Sequence, residues 1–363
     1  MLPELTSRLL RDWNCYLPEL SRPVNICYLG IPGSPEGGTA TFLAFDGRAP
    51  RPLFVVKTHR GPHASERVKN ERDILEYVQS QGGMLALSVP HALFVGSIGS
   101  RWVLVQSVID GRPMPASVTP SGGPDLDEAR RNFALVLGWL VELHERTRTT
   151  STEALESVQV RIRSTLQEFI GSFDLEGEER AFVGRLEGNL EDLLTSGLYL
   201  QHGDFCRHNV LLASNGATRR IGVIDWTFSS RLGLPLHDLF FFLAGYFVQI
   251  RREVGPAAFV RAFEYTFLEK NAYSDLAQWH IAQYCSHLGL DRQKIAAWFG
   301  VFLIERAMFE LRQVLQCAQQ FGLTRLTVYL AAAANKSYRE ALTEQLWVRY
   351  FRFFVREASS FIA

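Results

Sequence analysis

The sequence lacks a long apolar run, a net charge and a secretory signal. Its most apolar stretch, residues 239–250, is shorter than the roughly 20 residues of a membrane-spanning helix, so we expect a buried helix there. Basic and acidic residues balance at 38 each, which removes the overall field that draws proteins to nucleic acid or anionic membranes. The N-terminus has no basic region followed by an apolar core. The sequence therefore predicts no membrane span and no nucleic-acid partner.

Cysteine is scarce, and its distribution excludes two common uses. The five cysteines are odd in number, widely scattered and never in a C-x-x-C pair, which indicates reduced thiols rather than disulfides or zinc ligands. Reduced thiols predict a cytoplasmic location. The oligomeric state is left open.

The apolar content is high enough for a large core. Hydrophobic residues make up 47% of the sequence. The length of 363 residues exceeds the usual limit for a single core, so we expect two structural units. Short apolar runs near the N-terminus predict strands of an antiparallel sheet, and the pattern that follows the third predicts a helix over 61–81. The predicted strands cover 24–29, 41–45, 53–57, 91–96 and 102–108.

The second half of the sequence has a different pattern. A stretch rich in Gly and Pro, residues 110–124, interrupts the periodicity, and most of the chain beyond it predicts helices. Two short apolar runs, at 209–212 and 221–225, are the exception, and the Asn-Gly between them predicts a β-hairpin. The sequence thus predicts an α+β protein whose second unit is mostly helical.

The predicted hairpin places two oxygen-bearing side chains together. Antiparallel pairing brings Asn209, at the start of the first strand, beside Asp225, at the end of the second. An amide carbonyl and a carboxylate are hard donors of the kind that Mg²⁺ prefers, with water and phosphate oxygens completing its coordination. A magnesium nucleotide would fit this pair.

A carboxylate and a cation complete the set of candidate residues. Asp204 precedes Asn209 by five residues, and in phosphoryl transfer such a carboxylate orients the acceptor hydroxyl and takes its proton. Lys57 ends a predicted strand, and Glu71 lies on the apolar face of the next helix, where a carboxylate needs a partner. Lys57 is the natural partner, with Glu66 as a competing anchor for it.

The run H-G-D-x-x-x-x-N at 202–209, followed by I-D-W at 224–226, resembles the aminoglycoside phosphotransferase and choline kinase family, whose members are relatives of protein kinases. The resemblance covers roughly residues 24–245. It implies a protein-kinase-like two-lobed fold, with a small N-terminal lobe of antiparallel sheet plus one helix. The larger, mostly helical C-terminal lobe would contain the hairpin.

The resemblance also implies roles for individual residues. Asp204 would be the catalytic base, Asn209 and Asp225 the magnesium ligands, Lys57 the phosphate-binding lysine and Glu71 its anchor. The base of the nucleotide would lie against residues 106–109, including Gln106 and Val108, and the Gly-rich loop with Ser34 would lie near the phosphates. His202 and Asp238 would support the catalytic loop, Asp238 by capping the helix that follows it. We expect Arg207 and His208 to face solvent.

These observations predict two domains and one activity. Residues 1–108 would form the nucleotide-binding lobe, including a helical extension at 1–23, and residues 109–363 the catalytic and acceptor-binding lobe. The expected activity is transfer of the γ-phosphoryl group of Mg-ATP or GTP to a hydroxyl of a small acceptor such as a sugar, amino alcohol or aminoglycoside. The alternatives are an inactive, nucleotide-binding pseudokinase or scaffold, and an enzyme that transfers the nucleotidyl group.

Overall fold

The structure is a computed structural model that divides into two compact units. It describes residues 1–31, 39–47, 49–60, 63–117, 124–215, 218–247, 256–321 and 345–357. The first unit comprises Met1–Arg112 and Asn209–Ser229, and the second comprises Pro113–His208 and Ser230–Ala363. Ser34 lies outside the described residues, so its predicted place near the phosphates stays a prediction.

The first unit is built on a five-stranded antiparallel sheet with the order β1-β2-β3-β5-β4. Its strands are Ile26–Ile31 (β1), Thr39–Asp46 (β2), Pro52–His59 (β3), Ala92–Ile98 (β4) and Arg101–Gln106 (β5). Its helices are Leu2–Arg11 (α1), Trp13–Tyr16 (α2), Ala64–Ser80 (α3) and Gly83–Leu87 (α4). The predicted strands and the predicted helix after the third strand are therefore present, with shifts of a few residues at their ends.

The side chains of the central strand β3 alternate between the two faces of the sheet. Phe54 and Val56 belong to the apolar core of this unit, which they share with Leu5 and Leu9 of the N-terminal helix. Successive side chains in a strand point to opposite faces, so Lys57 emerges on the face opposite Val56. The alternation in the sequence thus decides which face receives the lysine.

The second unit is mostly helical, as the sequence predicts. Its helices are Leu126–Thr147 (α5), Thr152–Ser172 (α6), Gly177–Gly188 (α7), Leu190–Leu194 (α8), His237–Tyr246 (α9), Pro256–Phe263 (α10), Ala272–Leu288 (α11), Ile295–Phe321 (α12) and Leu346–Glu357 (α13). The remaining strands among the described residues are Arg112–Pro113 (β6), Tyr199–Gln201 (β7), Val210–Asn215 (β8), Thr218–Val223 (β9) and Ser230–Gly233 (β10). The carboxylate of Asp125 accepts a hydrogen bond from the Glu128 backbone N–H, which fixes the start of α5.

The hairpin of β8 and β9 groups with the first unit, although the sequence analysis assigned it to the second lobe. The Val223 N–H donates to the Ser88 carbonyl at 2.7 Å, which attaches β9 to the chain beyond α4. Gly222 allows this close approach, because a Cβ there would lie 2.2 Å from Cγ2 of Ile109. The predicted boundary between residues 108 and 109 itself stays a prediction.

The apolar stretch at 239–250 forms the buried helix α9 as far as Tyr246, and residues 248–250 lie outside the described part. Among the described residues, no helix is both long enough and apolar enough to cross a membrane.

Candidate active site

A buried ion pair joins the central strand to the first long helix. Lys57 Nζ lies 2.6 Å from Oε1 of Glu71, and the two side chains are only 5% and 1% exposed. Glu66, the competing anchor, is 77% exposed and lies beside His63 instead. The difference follows from the helical period, because Glu71 lies among the buried positions of α3 and Glu66 points to solvent.

The hairpin brings a second carboxylate to the same lysine. The Ile224 N–H donates to the Asn209 carbonyl at 2.9 Å. The residue before β8 is therefore paired with the residue after β9, directly beside Asp225. Asp225 Oδ1 lies 2.6 Å from Lys57 Nζ. Its φ of 66° is in the left-handed region, which non-glycine residues enter only with support from their surroundings. The lysine supplies part of that support.

Thr227 connects the three charged groups, and nothing in the sequence singles it out. Its Oγ1 lies 3.0 Å from Glu71 Oε2 and 2.9 Å from Asp225 Oδ1, and it accepts from Lys57 Nζ at 3.3 Å. A threonine hydroxyl has one proton, so it donates to one carboxylate at a time. The signal in the sequence for Thr227 is a hydroxyl group two residues after a candidate metal ligand. Threonine is too common a residue for that spacing to identify it.

The charges of this cluster control each other's protonation. Burial lowers the pKa of Lys57, but the carboxylates of Asp225 and Glu71 outweigh it and raise the pKa above its ordinary value. Burial, together with the positive charge of Lys57, lowers the pKa of nearby His59 to about 4. The lysine is therefore a permanent cation, and the histidine beside it is neutral at pH 7.

Asn209 and Asp225 are suited to holding Mg²⁺ by the chemistry of their oxygens. The Asp225 side chain is 42% exposed although Lys57 beside it is buried, so the carboxylate is accessible from solvent. Among the described residues no group of three or more His, Cys, Asp or Glu could hold a metal ion. An Asn–Asp pair would depend on water and phosphate oxygens for its other ligands, which is the usual arrangement for Mg²⁺ in nucleotide sites.

The loop that carries Asp204 is held through its backbone. The Asp238 carboxylate accepts from the N–H of His202 at 2.7 Å and from the N–H of Gly203 at 3.0 Å. The Asp204 N–H in turn donates to Nδ1 of His202 at 3.3 Å. The prediction that Asp238 caps its own helix is wrong. Leu236 occupies the cap position of α9, and the Asp238 carboxylate instead satisfies the loop.

Burial raises the pKa of Asp238 to about 6, and the two backbone hydrogen bonds oppose that shift. Hydrogen bonds from two backbone N–H groups stabilise the ionised carboxylate, so they lower its pKa. His202 and Asp238 thus support the loop, as expected, but by accepting hydrogen bonds from its backbone.

Arg306 is a second residue of the site that the sequence does not single out. It lies on α12 with 7% of its surface exposed, and its Nη1 donates to the Gly203 carbonyl at 3.0 Å. Its position about one hundred residues after the motif left no local signal in the sequence. Only the packing of α12 inside the second unit brings Arg306 next to the loop.

The remaining predicted residues are placed as follows. Gln106 is buried in β5, and Val108, just beyond that strand, is half-buried. Their predicted contact with a nucleotide base stays a prediction. His208 is exposed, as expected, but the expectation for Arg207 is wrong, because it is 8% exposed and its Nη1 donates to the Met114 carbonyl. An arginine in a short loop can extend its long side chain back across its own unit.

Comparison with solved structures finds distant similarities. The aminoglycoside phosphotransferase APH(3'')-Id from Streptomyces rimosus is 17% identical, over 83% of this chain and 96% of its own, with a TM-score of 0.45. Its complex with ADP and streptomycin is 16% identical over 81% and 96%, with a TM-score of 0.44. A protein described as a fructosamine-3-kinase, from Haemophilus somnus, is 12% identical over 96% and 97%, with a TM-score of 0.46. No curated protein matches.

A model of the Phosphotransferase enzyme family matches residues 39–279, which include both the Lys57 cluster and the Asp204 loop. The match confirms the resemblance and the kinase-like α+β fold that the sequence predicts. The chain therefore belongs to the Phosphotransferase enzyme family, and it is a kinase-type phosphotransferase that acts on a hydroxyl group of a small molecule.

Proposed function

We propose that this enzyme transfers the γ-phosphoryl group of Mg-ATP or Mg-GTP to a small, neutral or anionic hydroxyl compound, with a sugar or sugar-like metabolite as the first class to test. The observation that carries the proposal is the cluster of Lys57, Glu71 and Asp225, in which the buried lysine contacts the buried Glu71 and the solvent-accessible Asp225, each at 2.6 Å. Burying the Lys57–Glu71 ion pair costs free energy, and a role in phosphate binding accounts for a lysine held at this position.

Lys57 is the residue proposed to contact the phosphates. An ammonium has three N–H donors, and here they point to Glu71, Asp225 and Thr227. When a nucleotide binds, a phosphate oxygen can replace the exposed Asp225 as an acceptor while the buried Glu71 keeps the lysine in place. Asn209 and Asp225 would then hold Mg²⁺, which neutralises charge on the phosphates.

Asp204 is the proposed base. It would orient the acceptor hydroxyl for in-line attack and accept its proton as the phosphoryl group is transferred. The backbone of its loop is held by Asp238, which restricts where the Asp204 carboxylate can lie before the acceptor arrives. Positioning of this kind accounts for most of the rate enhancement that a phosphotransferase needs.

Charge supports the choice of acceptor. Residues 240–363 contain 14 Lys or Arg and 10 Asp or Glu, a surplus of four positive charges. A polycation such as an aminoglycoside is repelled by such a surplus, whereas a neutral or anionic acceptor is not. If purified enzyme phosphorylated aminoglycosides faster than sugars or amino alcohols, this part of the proposal would be wrong.

The first experiment is thermal unfolding with ATP and with GTP, each with and without Mg²⁺, on wild type and on Asp225→Ala. Ligand at about 100 times its dissociation constant adds about 2.7 kcal/mol to the free energy of unfolding, which raises Tm by several degrees. A magnesium-dependent shift that is lost in Asp225→Ala supports the site. No shift with either nucleotide would favour an inactive pseudokinase.

An acceptor screen follows, with mass spectrometry of the product. A gain of one phosphoryl group supports the proposal, and a gain of a whole nucleotidyl group would favour the alternative chemistry. The screen compares sugars, amino alcohols and aminoglycosides at equal concentration, so that the charge argument is tested in the same experiment.

A further inference from the structure

Arg306 is a buried cation that the proposed chemistry has not yet used. Burying a guanidinium is unfavourable unless its N–H groups and its charge find partners. Burial accordingly lowers the pKa of Arg306, and the nearby carboxylate of Asp204 opposes that shift more strongly than Glu310 or Asp238 does. The proposed catalytic base is therefore one of the carboxylates that favour the charged form of this arginine.

Aromatic rings hold the guanidinium in place. Its central carbon lies 4.2 Å from the ring centre of Phe241, 4.8 Å from that of Phe309 and 5.3 Å from that of Trp347. The Trp347 indole N–H donates to Glu310, one turn along α12 from the arginine. Stacking on several rings restricts the side chain to one orientation, so the direction in which Nη1 points is fixed by packing.

That direction is toward the loop. Nη1 donates to the carbonyl of Gly203, the residue directly before Asp204, while the N–H of Gly203 donates to Asp238. Both polar groups of this residue are thus held, one from α12 and one from α9. Gly203 itself has a φ of 79°, so the loop turns at this point in a conformation that other residues rarely adopt.

We propose that Arg306 is a positioning residue for Asp204, supplied by a helix outside the family match at residues 39–279. It acts through the Gly203 carbonyl and its charge, and it does not touch the reacting groups. The proposal rests on the proposed role of Asp204. It implies that α12, which lies beyond residue 279, positions the catalytic loop in addition to packing in the core.

The test uses Arg306→Met, Arg306→Lys and the control Arg312→Met. Methionine is shorter than arginine, but it is unbranched, apolar and suited to an aromatic environment, so the fold should tolerate it. Arg312 lies on the same helix but is 45% exposed and pairs with Glu168. Hydrogen exchange at the amides of residues 203–206 should speed up about tenfold in Arg306→Met and stay at the wild-type rate in Arg312→Met. Unchanged exchange in Arg306→Met would overturn the proposal.

Kinetics then separate positioning from a purely structural role. In Arg306→Met, kcat should fall about hundredfold while KM for the nucleotide stays within about twofold, because the proposed nucleotide ligands lie in the other unit. Arg306→Lys should recover part of kcat by keeping the charge. A wild-type kcat in Arg306→Met, or a parallel loss in both parameters, contradicts the proposal. An inactive wild type would refute the proposed function, while the exchange rates still decide whether Arg306 holds the loop.

Discussion

The two clusters of candidate residues are held by different kinds of interaction. In the first unit, side chains from β3, α3 and the segment after β9 meet directly as ion pairs around Lys57. In the second unit, the loop with Asp204 is held through its backbone by Asp238 and Arg306. The first cluster fixes the position of charges, and the second fixes the shape of a loop.

This difference predicts whether a substitution should change stability and nucleotide binding or should change turnover. Removing a charge from the first cluster leaves another buried charge without its partner, so stability and nucleotide binding should suffer together. Changes in the second cluster should move the proposed base, Asp204, relative to the acceptor, so turnover should fall while nucleotide binding persists. Four variants test this division, from the largest expected effect to the smallest.

Asp204→Asn should give the largest change. Asparagine keeps the size of the side chain but cannot accept the hydroxyl proton, so turnover should fall by about 10³-fold. Nucleotide affinity, measured by calorimetry, should stay close to wild type, because the proposed nucleotide ligands belong to the other cluster. A loss of nucleotide affinity as large as the loss of turnover would break the division.

Glu71→Gln should reduce stability most. The amide leaves a buried lysine with one carboxylate in place of two, and losing one member of a buried ion pair costs about 3 kcal/mol. Urea unfolding measures this change. Glu66→Gln on the same helix is the matched control, and its exposed side chain should change the free energy of unfolding by less than about 0.5 kcal/mol. Equal effects of the two substitutions would contradict the structure.

Asp238 predicts opposite pH trends for stability and activity. Its pKa of about 6 in the folded protein exceeds its ordinary value of 3.8, so the folded state binds the proton more tightly than the unfolded chain. Its contribution to the free energy of unfolding should therefore increase by on the order of 2–3 kcal/mol as pH falls from 7 to 4. Turnover should fall in the same window, because protonation weakens the hold on the loop.

The measurement is the difference in unfolding free energy between wild type and Asp238→Asn across this pH range. Taking the difference cancels the titration of the other groups. A difference that is flat, or that changes in the opposite direction, would show that the buried carboxylate does not titrate in this window.

Thr227→Val should give the smallest effect. Valine has nearly the same shape but no hydroxyl, so Glu71 and Asp225 lose a shared hydrogen-bond donor, at a cost of about 1 kcal/mol in unfolding free energy. Thr227→Ser keeps the hydroxyl and should recover most of the loss. If the serine variant were as unstable as the valine variant, the methyl group rather than the hydroxyl would be the stabilising feature.

Much of the fold and of the first cluster could be predicted from the sequence, because the evidence for each part is local. The strand with Lys57 and the helix with Glu71 follow from their own periodicity, and the Asn-Gly turn indicates the hairpin. The hydrogen bonds by which Asp238 supports the loop, and the burial of Arg207, could not be predicted in the same way. Each of these two side chains bonds to backbone groups that are distant along the chain or belong to an irregular loop.

The sequence by itself determined the candidate residues for the chemistry, since the motif spacing and the residue types leave few others to consider. Tertiary structure alone decided which groups hold them: Thr227 between two carboxylates, and Arg306 at the carbonyl before Asp204. The physical reason is that a buried polar group must be satisfied by whichever partner the packing brings near, and packing joins residues without regard to their distance in the sequence.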